Sequence, residues 1–147
     1  MSIATLFHSD PTRHEGVRPI QVHALRTLFA LMFLFVGFDA WSALLGHQGP
    51  WDPMRAAALC MFGSYALLSS IGVFRPLLML PIIVFMVIYK STWLLVVAYP
   101  LWAAGTLAGS SAEGMANIFI WVIVPILFVP WRYAFDRFVL GRSAAGG

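Results

Sequence analysis

The segment LLMLPIIVFMVIYKSTWLLVVAYPLWA, Leu77 to Ala103, carries a single charge, Lys90, in 27 residues. A helix rises about 1.5 Å per residue, so roughly 20 apolar residues cross the ~30 Å hydrocarbon core of a bilayer. The segment is about twice the length of a barrel strand and does not alternate in polarity as one would. A helix satisfies its own backbone hydrogen bonds, which lipid cannot do. The stretch therefore predicts a transmembrane helix over 77–103, and Lys90 becomes the question: why does an apolar span hold a full positive charge?

Working outward, three further segments read the same way: 24–45, 56–74 and 115–131. The expected architecture is an all-α, transmembrane four-helix bundle over residues 23–133 with up-down topology. A polar tail over 1–22 precedes it, and a C-terminal tail over 134–147 follows. Gly, Pro, Asp and Ser punctuate the connections, in GHQGPWDP (46–53), GVFRP (72–76) and AAGTLAGSSAEG (103–114). Pro125 lies inside the fourth segment and predicts a kink there. The apolar run starts too late, and contains Asp39 too soon, for a cleaved signal peptide.

Composition agrees. The chain has 147 residues, 61% hydrophobic and 10% charged. Soluble domains run near 25% charged, and so small a domain has too much surface to hide this much apolar area from water. The lipid bilayer is therefore the first partner. The basic residues form no run, so nucleic acid is excluded as a partner. Cys60 stands alone within an apolar segment, which leaves no disulfide within the chain. No Gly-rich phosphate loop precedes a helix. The histidines, His8, His14, His23 and His47, fall outside mid-membrane positions and show no ligand spacing, so no metal is expected.

Arginine placement sets orientation. Arg13, Arg18, Arg26, Arg75, Arg132, Arg137 and Arg142 fall on one side of the expected spans, and Arg55 on the other. The positive-inside rule then puts both termini in the cytoplasm.

Lys90 lies fifteen residues beyond Arg75, about 22 Å along a helix. Asp39 lies thirteen residues beyond Arg26, about 20 Å along its own. Both helices enter from the same side, so acid and base fall at similar depth and an Asp39–Lys90 ion pair is expected. A lone charge at mid-span costs roughly 2.5–3.5 kcal/mol on the insertion scale. Two other outcomes stay open: the lysine stem snorkels outward, or Asp39 is held protonated. Trp41, Trp93, Trp121 and Asn117 fall in the same layer, and His47 sits in the adjoining loop. Together they outline a candidate ligand-binding or proton site with aromatic walls and a charged floor. Against it stands the simpler reading, in which tryptophans form an interfacial belt and small polar residues join helices.

Two stretches carry a family resemblance: LRTLFALMFLFVGFDAW (25–41) and YALLSSIGVFRPLLMLPIIVFMVIYK (65–90). An arginine leads an apolar helix with a glycine and a late polar residue, and a second helix ends at Gly-x-Phe-Arg-Pro. In this the chain resembles the DoxX-like small four-helix membrane proteins of bacteria. Asp39 stands where that family often has a lysine. The resemblance implies a bacterial inner-membrane protein, an accessory subunit of a redox complex or one that faces a quinone. Residues alone point to a binding or accessory subunit rather than a stand-alone enzyme. A proton-coupled small transporter using Asp39, and a purely structural subunit, are the alternatives; self-association is compatible with each.

Overall fold

The computed structural model describes residues 17–141. Among these the regular structure is entirely helical. Helix α1 covers Pro19–Leu31, a π-helical turn Met32–Val36, α2 Gly37–Leu45 and α3 Pro53–Phe74. They are followed by α4 over Leu80–Trp93, a second π-helical turn over Leu94–Ala98 and α5 over Tyr99–Ala103. Then come α6 over Glu113–Phe119, a 3-10 turn over Ile120–Val122, α7 over Ile123–Phe128 and α8 over Trp131–Phe138. Three continuous helices are long and apolar enough to cross a membrane: Pro19–Leu45, Pro53–Phe74 and Leu80–Ala103. A fourth span is counted if the bent pair Glu113–Phe128 and Trp131–Phe138 is taken as one.

The helix boundaries follow local chemistry. The first span starts at Pro19, earlier than the apolar pattern predicts, because Arg18 is extended ahead of a proline that fits the first turn. The second starts at Pro53 after Asp52, whose carboxylate accepts from the Arg55 amide at 2.7 Å. This N-cap satisfies a donor that the first turn leaves open. It ends at Phe74 because Arg75 precedes Pro76 and is driven out of helical geometry, to φ −125°, ψ 67°. The expected kink at Pro125 takes another form. Pro125 has no amide to give the Trp121 carbonyl, and the chain tightens into the 3-10 turn over Ile120–Val122 just ahead of it. The true break falls at Val129, extended at ψ 126° before Pro130. The segment that the sequence assigns to the start of the C-terminal tail is helical as far as Phe138. Residues 1–16 of the expected leader and 142–147 of that tail lie outside the described residues.

The described chain forms two compact units, one comprising residues up to Ile82 together with those from Pro130 on, the other Ile83–Val129. In the first unit, α1 and α2 pack along α3. The face that α3 turns inward is small: Gly63, Ala66, Ser69 and Gly72 are all buried, at intervals of three. Small residues let helix backbones approach closely, which is how helices associate where lipid supplies no hydrophobic drive. The fit is tight. A β-carbon on Gly72 would lie 2.6 Å from Cε1 of the fully buried Phe29, and one on Gly63 would lie 3.3 Å from the Trp41 indole. Polar atoms in this interface find partners: Ser69 Oγ donates to the Tyr65 carbonyl at 2.9 Å, and the Tyr65 hydroxyl donates to the Met32 sulfur at 3.4 Å.

In the second unit, the aromatic rings of Tyr89 and Trp93 on α4 pack in T-shaped pairs with Phe119 on α6, with centroids 5.7 and 5.1 Å away. Offset and edge-to-face pairs of this kind place the positive ring edge on the negative ring face.

Candidate functional site

The two charges of the apolar spans end in opposite environments. Along the first span the buried residues are Val22, Leu25, Phe29 and Met32, at spacings of three and four. The next are Gly37 and Ala40, after a gap of five. That gap is the π turn over Met32–Val36: its wider ring takes in an extra residue and moves every later side chain one position around the helix. A uniform helix would carry the buried stripe from Met32 through Val36 toward Asp39. With the π turn in place, Asp39 is exposed, on the same side as Phe35, 66% exposed, and Phe38, 73% exposed. The Asp39 main-chain carbonyl accepts from Ser42 Oγ at 3.1 Å. Its carboxylate enters no salt bridge among the described residues.

Lys90 is the reverse case. On α4 the buried residues Ile83, Met86 and Val87 lead at helical spacing to Lys90, which is half-buried. Its ammonium has no carboxylate partner among the described residues. It lies over the Phe119 ring, 5.1 Å from the centroid. This is within the ~6 Å reach of a cation–π contact, in which the ring quadrupole attracts the charge.

The Asp39–Lys90 pair expected from matched depth finds no support: among the described residues neither charge enters a salt bridge. The acid is on an exposed stripe, and the base is covered by a ring rather than by a carboxylate. The π turn changes the rotation of Asp39 about its helix without leaving a mark in the sequence pattern.

The remaining candidate residues take mainly structural positions. Trp41 lies against Gly63 and holds α2 to α3. Trp93 packs on Phe119 beside Lys90. Trp121 and Asn117 are exposed. His47 stacks on Trp51, with centroids 3.5 Å apart, and its Nε2 lies 3.3 Å from the Pro50 carbonyl oxygen, which fixes the loop between the first two spans. Among the described residues no group of three His, Cys, Asp or Glu gathers as a metal site. What the arrangement offers chemically is thus an exposed carboxylate on an apolar helix face, and separately a lysine set among Phe119, Tyr89 and Trp93. Phe119 has the central place in the second unit, yet it sits in the sequence as one apolar residue in an apolar run. Its spacing from the buried Ala116 and Val122, three residues on either side, was the available signal.

A second π turn, Leu94–Ala98, follows Lys90 in its span. Pro100, lying just beyond, cannot donate to the carbonyl four residues back, and a locally widened helix accommodates that missing bond. Turns of this type are rare and cluster at functional positions; here one precedes Asp39 and the other follows Lys90.

No family model, curated protein or solved structure matches the chain. The class that its helices define is a small all-helical protein with three spans, or four with the bent pair, apolar enough for a membrane.

Proposed function

We propose that the protein is an accessory subunit of a membrane assembly, and that the first span meets its partner through the stripe bearing Phe35, Phe38 and Asp39. The observation that carries this reading is the exposure of Asp39 on a stripe with Phe35 and Phe38, six residues before the end of a 27-residue apolar span. A carboxylate facing acyl chains costs roughly 2.5–3.5 kcal/mol, and intramembrane acids are nearly always turned toward protein or water. A cation or hydrogen-bond donor from a neighbouring chain removes that cost and makes the face specific for its partner. The DoxX-like resemblance leads to the same role, in a bacterial inner membrane with a quinone-coupled redox complex as the partner. The arginine distribution supports both termini on the cytoplasmic side.

The test is affinity purification of the full chain from its native membrane in mild detergent, beside Asp39→Asn. The proposal expects a second polypeptide, or a second copy of this chain, with the wild type. It expects severalfold less with Asp39→Asn at equal yield of folded protein. A wild-type chain that is solitary and as stable as the variant contradicts it. A proton-driven flux in vesicles that Asp39→Asn abolishes would replace it with the transporter reading.

A further inference from the structure

The three continuous membrane-length helices hold a single carboxylate, Asp39, and a single base deep within its helix, Lys90. Arg26 and Arg55 lie nearer the starts of theirs, where a long stem reaches an interface. Neither Asp39 nor Lys90 enters a salt bridge among the described residues. Asp39 is exposed and Lys90 is half-buried. Lys90 donates no hydrogen bond among the described residues, yet no buried side-chain nitrogen or oxygen there lacks a partner. Its ammonium therefore keeps accessible surface. Phe119 covers one side of it, and the N–H donors away from the ring are open to an acceptor from outside the fold.

We propose that the partner met by the first span is a second copy of this chain, and that Asp39 of each copy pairs with Lys90 of the other. The inference rests on the reading of the Asp39 stripe as a protein contact, and it names what covers that stripe. Charge complementarity selects the occupant. An unrelated partner that brings a cation to Asp39 leaves Lys90 needing a separate acceptor, whereas a second copy supplies both groups, one for one. Intramembrane charges pair with one another in this way. In a two-fold dimer, a contact of one residue with another is repeated with the roles exchanged. A two-fold axis along the membrane normal also keeps every residue at its own depth, so the two charges must match in depth. The first and third of three consecutive crossings run the same way. Counted from Arg26 and Arg75, Asp39 and Lys90 lie thirteen and fifteen residues along, about 20 and 22 Å. The lysine stem takes up a difference of this size. The exposed rings of Phe35 and Phe38 supply apolar contact around the acid.

The experiment uses two copies of the full chain with different affinity tags, made together in native membranes. They are solubilised in mild detergent and captured through one tag, and recovery of the second tag is measured. This reads association between copies, not unfolding of one chain. Wild type is expected to recover wild type. Asp39→Lys sets lysine against lysine and Lys90→Asp sets carboxylate against carboxylate, so each is expected to recover itself severalfold less. Asp39→Lys made with Lys90→Asp has opposite charges at both contacts, and recovery is expected to return toward the wild-type level. If the reversed chains do not accumulate, cysteine crosslinking in a Cys60→Ser background decides. Asp39→Cys in one tagged chain and Lys90→Cys in the other, treated with a short bis-thiosulfonate, are expected to give a product carrying both tags. Absence of that product would overturn the proposal. So would reversed chains that recover themselves as well as wild type does. Recovery restored when both changes sit in one chain, but not in the mixture, would place the pair within a single chain and also overturn it. A wild type that recovers a different polypeptide and no second copy would overturn this inference while leaving the partner reading of Asp39 standing. One that recovers nothing would overturn both.

Discussion

The ammonium of Lys90 lies 5.1 Å from the centroid of the Phe119 ring, on the buried stripe of its own span. A charge in an apolar helix is thus held by a quadrupole supplied from α6 of the same unit. Contacts of this type contribute about 0.5–1 kcal/mol where exposed and roughly 2 kcal/mol where water is excluded.

A double-mutant cycle measures the contact. Phe119→Leu also loses the T-shaped ring pairs with Tyr89 and Trp93, so its cost alone decides nothing. The cost is expected to be smaller by about 0.5–2 kcal/mol when Lys90 is already Met. Denaturant unfolding of the four proteins in one detergent supplies the comparison, and additive effects would show that the ring does not hold the charge. Lys90→Met itself is expected to leave stability equal or raised, since an apolar residue of similar length removes the desolvation cost.

The glycines of the first unit should rank by the room around them. Gly72→Ala drives a methyl group into Phe29, which is fully buried and cannot retreat, and a cost of about 1–3 kcal/mol is expected. Gly63→Ala meets Trp41 at 3.3 Å and should cost less. Gly37→Ala meets Ala66 at 3.4 Å, an ordinary contact, and gains about 0.5–1 kcal/mol from removing a helical glycine. Thermal unfolding in detergent should therefore order the variants Gly37, Gly63, Gly72 from most to least stable. A reversed order would contradict the packing described for α3.

Asp52 offers a local check on the second span. Its carboxylate accepts from the Arg55 amide at the start of a 22-residue helix. Asp52→Ala is expected to cost about 0.5–2 kcal/mol, and Asp52→Ser most of that less. Equal loss in both variants would mean that Asp52 acts through its charge rather than as a cap.

Much of this organisation is legible in the sequence, and the reasons are physical. Long apolar runs bounded by Pro and Gly place three membrane-length helices, because lipid forces the backbone to bond within each run. The end of α3 at Phe74 follows from Arg75–Pro76. The orientation of Asp39 could not be read in this way. The turn MFLFV contains no proline or glycine to announce a π turn, and one extra residue is enough to carry an acid off the buried stripe. The partner of Lys90 was hidden for a different reason: Phe119 is one ring among many, and a cation–π contact leaves no charge signature to find. Helix α8 begins within two residues of the break at Val129, so its residues read as a tail.

The central claim is that the stripe bearing Asp39 faces another polypeptide, and site-specific photo-crosslinking tests it most directly. A benzophenone side chain replaces Phe38, which is 73% exposed, and in a parallel sample replaces Val87, which is buried. Both proteins are irradiated in native membranes. Position 38 is predicted to yield a discrete product heavier by one polypeptide, diminished by Asp39→Asn, while position 87 yields none. Reaction of position 38 with lipid alone would contradict the account.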